Sequence, residues 1–159
     1  MQTQSIKIEA PEGYSPNFDK EAGVITFKEK PKDVTERITT IADVLAELGD
    51  NDEDVIDYRK VLSVFSPEHH TVNYQLCVII IKALNEKRLP YWDNSNELKW
   101  TLWFYMGGSS GFRYYGFVDW RSASHVGSRL CFMEKRLGLH AVEQPEFFNA
   151  FKNFMTIKK

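Results

Sequence analysis

Asp50-Asn51-Asp52-Glu53-Asp54 opens like a calcium loop, with carboxylates on alternate residues. The sixth position is Val55, where a glycine must make the sharp turn, and the twelfth is Val61, where a bidentate carboxylate is needed. The run is therefore expected to be a solvated acidic loop. Met106-Gly107-Gly108-Ser109-Ser110-Gly111 has the glycine content of a phosphate cradle but no Gly-Lys-Ser/Thr after it, and reads as a hairpin turn. His69 and His70 are adjacent and should point apart in an extended segment, while His125 and His140 fall in different elements, so no metal cage is expected. Cys77 and Cys131 each lie inside an apolar run, Leu76 to Ile81 and Leu130 to Phe132, as buried thiols do in a reducing compartment. A cysteine nucleophile with His125 as base would need an electropositive, exposed setting, and only Arg129 near Cys131 offers one. Asp119, Ser122, Ser124 and His125 hold the residue types of a triad without a nucleophile elbow. No catalytic residue, metal ligand or cofactor is assigned, and the chain is read as non-enzymatic.

Binding chemistry has a clearer place. Residues 91 to 120 carry eleven of the chain's twenty-two aromatics, and between Lys99 and Arg136 six basic residues face two acidic ones. Aromatics interleaved with arginine on a sheet can stack sugars or bases. A sheet also sends every second side chain into its core, so about half of these rings are expected to be packing. In Asp119-Trp120-Arg121-Ser122-Ala123-Ser124-His125, alternation puts Trp120, Ser122 and Ser124 on one side, and small hydroxyls beside an indole suit a surface better than a core. The candidate ligand-binding residues are Tyr105, Arg113, Tyr115, Trp120, Arg121, Ser122 and Ser124.

The elements that must position them follow from periodicity. Ser5 to Ala10 and Val24 to Glu29 alternate with period two, separated by a span rich in turn residues, and predict two strands with a long connection. Ile38, Ile41, Val44, Leu45 and Leu48 recur at helical steps up to Gly49, with Thr39 or Thr40 and Asp43 suited to the start, predicting a helix over 38–48. Tyr74 to Asn85 predicts a buried helix, although Val78-Ile79-Ile80-Ile81 is β-branched. Strands are expected near 99–106, 112–118 and 126–132, forming an antiparallel meander with the last strand central. A terminal helix carries Phe147, Phe148, Phe151, Phe154 and Met155 on one face, with Pro145 in its first turn. The chain has 159 residues, 43% hydrophobic and 26% charged, and a net charge of −2. That balance suits one α+β domain: a strand pair over 1–30, a helical segment with two central helices over 31–90, an aromatic antiparallel sheet over 91–133 and a C-terminal helix over 134–159 packed on it. It excludes a disordered tail and a uniformly basic nucleic-acid binder. No apolar run approaches the roughly 20 residues of a membrane span, and no signal segment opens the chain, so a cytoplasmic location is expected.

Val126-Gly127-Ser128-Arg129-Leu130-Cys131-Phe132 resembles a string in uncharacterised proteins of phages and prophages of gut Bacteroidetes. The resemblance extends through Ala83-Leu84-Asn85-Glu86, Trp92-Asp93-Asn94-Ser95-Asn96-Glu97, Trp103-Phe104 and the N-terminal Ile6 to Tyr14, and so covers most of the chain. It departs where Leu102 replaces the family's proline before the Trp-Phe pair, and where Gly138 and Pro145 interrupt the tail. The resemblance implies a phage origin, in the producing cell or on the virion, and carries no activity or catalytic residue. Residues 100–132 also look like the tail of C-type-lectin-like domains in the Fibrobacter succinogenes major paralogous group, which would imply a ligand-presenting loop region on a sheet. Together these readings give a non-enzymatic binding module for a protein or glycan partner, with a single-stranded nucleic-acid binder using the same face as the alternative.

Overall fold

Residues 8–29, 32–107 and 111–157 are described by a computed structural model of the chain. The fold is α+β, with two small antiparallel sheets and six α-helices among the described residues. The chain divides into two compact units, Met1–Asp33 and Val34–Lys159.

The first unit is a hairpin of β1 (Tyr14–Asp19) and β2 (Val24–Glu29). Of the strand expected at 5–10, Ile8 to Ala10 lie outside any strand, and residues 5–7 fall outside the described ones. β2 pairs instead with the proline-containing span before it, because the Asp19 carboxylate accepts from the backbone N–H groups of Glu21 and Ala22 and Gly23 takes φ +64, closing a tight turn. The register puts Tyr14, Pro16, Phe18, Ile25 and Phe27 on one face and Ser15, Asn17, Thr26 and Lys28 on the other.

The second unit is organised by a buried central helix. The stretch 34–84 forms α1 (Val34–Arg37), α2 (Ile41–Leu48), α3 (Glu53–Val64) and α4 (His70–Leu84), more helices than the two expected. Thr40 caps α2 with the reciprocal bond from Asp43 that its sequence predicts. α4 buries Val72, Leu76, Cys77, Ile79, Ile80 and Leu84 against α2, α3 and a C-terminal helix, so burial overrides the β preference of its isoleucines. Its last turn closes with Glu86 and Lys87 both at positive φ, +54 and +62, and the Lys87 N–H bonds back to the Lys82 carbonyl.

The second sheet is a hairpin of β3 (Lys99–Tyr105) and β4 (Arg113–Trp120), joined through a connection whose residues 108–110 fall outside the described ones. The third strand expected at 126–132 does not form. One antiparallel bridge, Trp100 to Phe132, replaces it, and Ser128–Leu130 make a 3-10 turn. Side chains occupy the backbone groups a ladder would use. Ser124 Oγ accepts from the N–H of Val126 and Gly127, while Asn85 donates to the Cys131 carbonyl and accepts from the Met133 N–H. Cys131 and Phe132 are consecutive and both buried, as a central strand would require, but they reach the core from a turn and a single bridge.

The tail splits at Pro145 into α5 (Lys135–Glu143) and α6 (Pro145–Met155). α5 contacts β3 and α6, and Gly138 lets it approach the sheet: a Cβ there would stand 2.6 Å from the Phe117 ring. His140 on α5 is buried, its Nε2 2.7 Å from the Ile38 carbonyl and its Nδ1 within reach of the Gln144 amide, which fixes it as an Nε2–H donor tying α5 to the connection between α1 and α2. Phe147 and Phe151 of α6 enter the core, where Phe104 lies 5.7 Å from Phe151 and 4.7 Å from Phe112, ring centre to ring centre.

Candidate functional site: an outward aromatic face on the second hairpin

The two faces of the β3–β4 hairpin follow from its register. Trp100, Leu102 and Phe104, opposite Asp119, Phe117 and Tyr114, turn towards the core with α5 and α6. Trp103 and Tyr105, opposite Gly116 and Arg113, turn outward. Between Gly116 and Tyr114 the pairing skips one residue, so Tyr115 is a bulge. The bulge sends Tyr115 out beside the other two rings: its centroid lies 6.1 Å from Trp103 and 4.5 Å from Tyr105, both edge-to-face. Arg113 places its guanidinium 4.1 Å from the Tyr105 ring centre. Trp103, Tyr105 and Tyr115 remain 56%, 41% and 58% exposed while locked against one another.

Four of the seven sequence-selected residues stand differently from this cluster. Trp120 is half-buried, its Nε1 donating 2.9 Å to Thr101 Oγ1 and its ring edge-on to His125, so it braces the hairpin's far end. Arg121 donates to the Ser95 carbonyl at 2.8 Å and pins the 92–97 loop. Ser124 is spent on the backbone of Val126 and Gly127, and Ser122 is exposed in the loop after β4. The alternation invoked for 119–125 fails because β4 ends at Trp120. Trp103 was missed in turn, since its outward direction depends on where β3 starts and which rings the core takes.

The basic side chains do not gather on this face. Lys99 is 0% exposed: its ammonium donates to the carbonyls of Asn94 and Glu97, both at 3.0 Å, lies 3.6 Å from the Glu97 carboxylate and sits over the Trp92 ring. Arg129 pairs with Asp54, Arg136 with Glu134, and Lys135 lies over Trp100 and Phe117.

Other chemistry weighed from the sequence takes different forms. The run at 50–54 is not a solvated loop: Asp52 caps α3, and Asp54 is buried and bonded by both Lys82 and Arg129. Burial alone would raise the Asp54 carboxyl, but hydrogen bonds and charge from Lys82 and Arg129 outweigh it and hold the group below the usual carboxylate range. His69 and His70 do not point apart. The chain turns into α4 at this point, so their rings lie 4.4 Å from each other with Phe65 stacked on His69, and His69 Nδ1 caps the helix by accepting from Thr71 N–H. Burial pushes the Cys131 thiol up to about 11, and Cys77 is raised further, so both are thiols at neutral pH. Among the described residues no group of three His, Cys, Asp or Glu could hold a metal ion, and no helix is long and apolar enough to cross a membrane.

No family model, curated protein or solved structure matches the chain. What the site can do therefore rests on its own geometry. Three rings and a guanidinium, preset by mutual edge-to-face and cation–π contact, offer an angular apolar surface edged with hydroxyls and one cation, able to take a planar or ring-shaped partner against an exposed ring at small entropic cost.

Proposed function

We propose that this protein is a non-enzymatic binding module that presents Trp103, Tyr105, Arg113 and Tyr115 to a protein or glycan partner, acting in the cytoplasm of the producing cell or on a virion. The observation that carries it is the bulge at Tyr115, which adds a third exposed ring to a face where burial would be the ordinary fate of such residues. Exposed rings held rigid are the residues that anchor interfaces, because little side-chain freedom remains to be lost on binding. The scattering of Lys99, Arg129 and Arg136 away from this face favours an aromatic contact over a phosphate-tracking one.

The test compares the intact chain with the Trp103→Ala/Tyr115→Ala double variant on a panel of defined oligosaccharides and of peptides, with single-stranded oligonucleotides in parallel. Saturable binding to an oligosaccharide or peptide that is insensitive to salt and lost in the double variant is expected. Oligonucleotide binding that falls steeply with salt would replace the proposal with its nucleic-acid alternative. Binding unchanged in the double variant would remove the face from consideration.

A further inference from the structure

A second concave site lies away from the aromatic face, between the end of α4, the start of α3 and the 128–129 turn. It is a cavity of about 310 Å³, at the lower end of the range that holds small ligands. Its apolar wall comes from Val78, Ile81, Leu89 and Pro90. At one side Arg129, Arg88 and Ser128 converge with donors to spare. Arg129 gives Nη1 to Asp54 and leaves the rest of its exposed guanidinium open to the cavity. Arg88 spends Nε on the Asn85 carbonyl and Nη2 on Glu134, leaving Nη1. Ser128 Oγ accepts from the Trp92 indole N–H and keeps its own proton to donate.

Two further features point the same way. The chain leaves α4 through Glu86 and Lys87, consecutive non-glycine residues at positive φ, a costly conformation after which Arg88 to Pro90 line the cavity. The acids present set a limit on the ligand's charge: Lys82, Lys87, Arg88 and Arg129 line the cavity with Glu53 and Asp54, and Asp52 and Glu134 are bonded to Lys82 and Arg88, so the charges balance and the spare donors, not a net field, recognise an anion. One carboxylate can use those donors, whereas a dianionic phosphate would bring a second charge close to Asp54. Planar guanidinium groups match a carboxylate fork in the same way.

We infer that this cavity binds a small monocarboxylic acid with an apolar body, its carboxylate on Arg129, Arg88 and Ser128 and its body against Val78, Ile81, Leu89 and Pro90. The site is independent of the aromatic face, and neither reading needs the other. The probe is 3-phenylpropionate, with its neutral amide as control, followed by the Trp92 indole N–H resonance, which reports on Ser128, and by calorimetry. A ligand of this size should bind with Kd on the order of 1 mM. The amide should bind at least about tenfold more weakly, one charge-assisted contact's share. Arg88→Gln, which gives up an exposed ion pair with Glu134 and one part-buried bond to the Asn85 carbonyl, should weaken the acid about fivefold or more, with a stability loss of no more than a few degrees in melting temperature. Trp103→Ala should leave it untouched. Equal binding of acid and amide, the same affinity in Arg88→Gln and the intact chain, or no saturable shift of the Trp92 resonance would each overturn the assignment. Arg129→Lys supplies a second reading, since it keeps the charge beside Asp54 while removing the fork, and undiminished acid binding there would also overturn it.

Discussion

Lys99→Met tests whether the hairpin's far end is held by a buried charge. The Lys99 ammonium is fully enclosed, with carbonyl acceptors on Asn94 and Glu97 at 3.0 Å, the Glu97 carboxylate at 3.6 Å and the Trp92 ring above it. Methionine keeps the aliphatic stem and removes the donor. Two hydrogen bonds from a charged group are together worth about 3–6 kcal/mol net. Against that, the variant no longer buries an ammonium, and the two carbonyls belong to a surface loop whose backbone water can reach once the lysine is gone. The balance is a loss of about 2–3 kcal/mol, below the roughly 3–5 kcal/mol seen when one partner of a buried pair is removed with no relief. Urea unfolding gives the number, and tryptophan emission should shift to the red as the 92–97 loop loosens around Trp92. A loss under about 0.5 kcal/mol, the size of an ordinary surface change, with unshifted emission would show that the loop holds itself and that the ammonium is incidental.

Trp120→Ala should cost about 2 kcal/mol, less than a fully buried indole but with a hydrogen bond to Thr101 lost, whereas Trp103→Ala should stay within about 0.5 kcal/mol; equal costs in thermal unfolding would mean that the faces are misassigned. Asn85→Ala should cost about 2–4 kcal/mol, because it strands the Cys131 carbonyl and the Met133 N–H together; hydrogen exchange at Met133 should rise in step, and unchanged exchange there would contradict the bridging role. Asp54 is held below its unfolded value of 3.8, so the stability it adds is present above about pH 4 and is lost as pH falls through the lower folded value. Asp54→Asn should therefore flatten the acid limb of a stability profile, and a limb of unchanged steepness would show that other carboxylates carry it.

Periodicity was informative where one face is buried and caps are local. Ile41 to Leu48 with Thr40 and Asp43, Val24 to Glu29, and the Phe147 to Met155 stripe all stand where their spacing puts them. α3 escaped because Asp50 to Asp54 was weighed as a metal loop; Asp52 as cap, acids in the first turn, and Val55, Tyr58 and Val61 at helical steps were the signal that could have found it. The segment 126–132 has a strand's composition and not its structure, since the outcome turned on Asn85 and Ser124, remote or small side chains whose hydrogen bonds no local pattern encodes. At the candidate site, Tyr105, Arg113 and Tyr115 were legible as alternating strand residues. Trp103 shares the Tyr105 face of β3 by the same alternation, but that pattern does not say which of the two faces the core takes.

The inserted residue, Tyr115, separates two properties of the hairpin that are usually tied together. On either side of it the inward pairs, Leu102 with Phe117 and Phe104 with Tyr114, keep a regular relation to the core. Shortening β4 by Tyr115 alone would let Gly116 and Tyr114 follow one another without changing either pair. The third ring is thus an addition of one residue to a strand whose inner side is complete without it, so the outer face can be enlarged or reduced at Tyr115 while the packing underneath stays as it is.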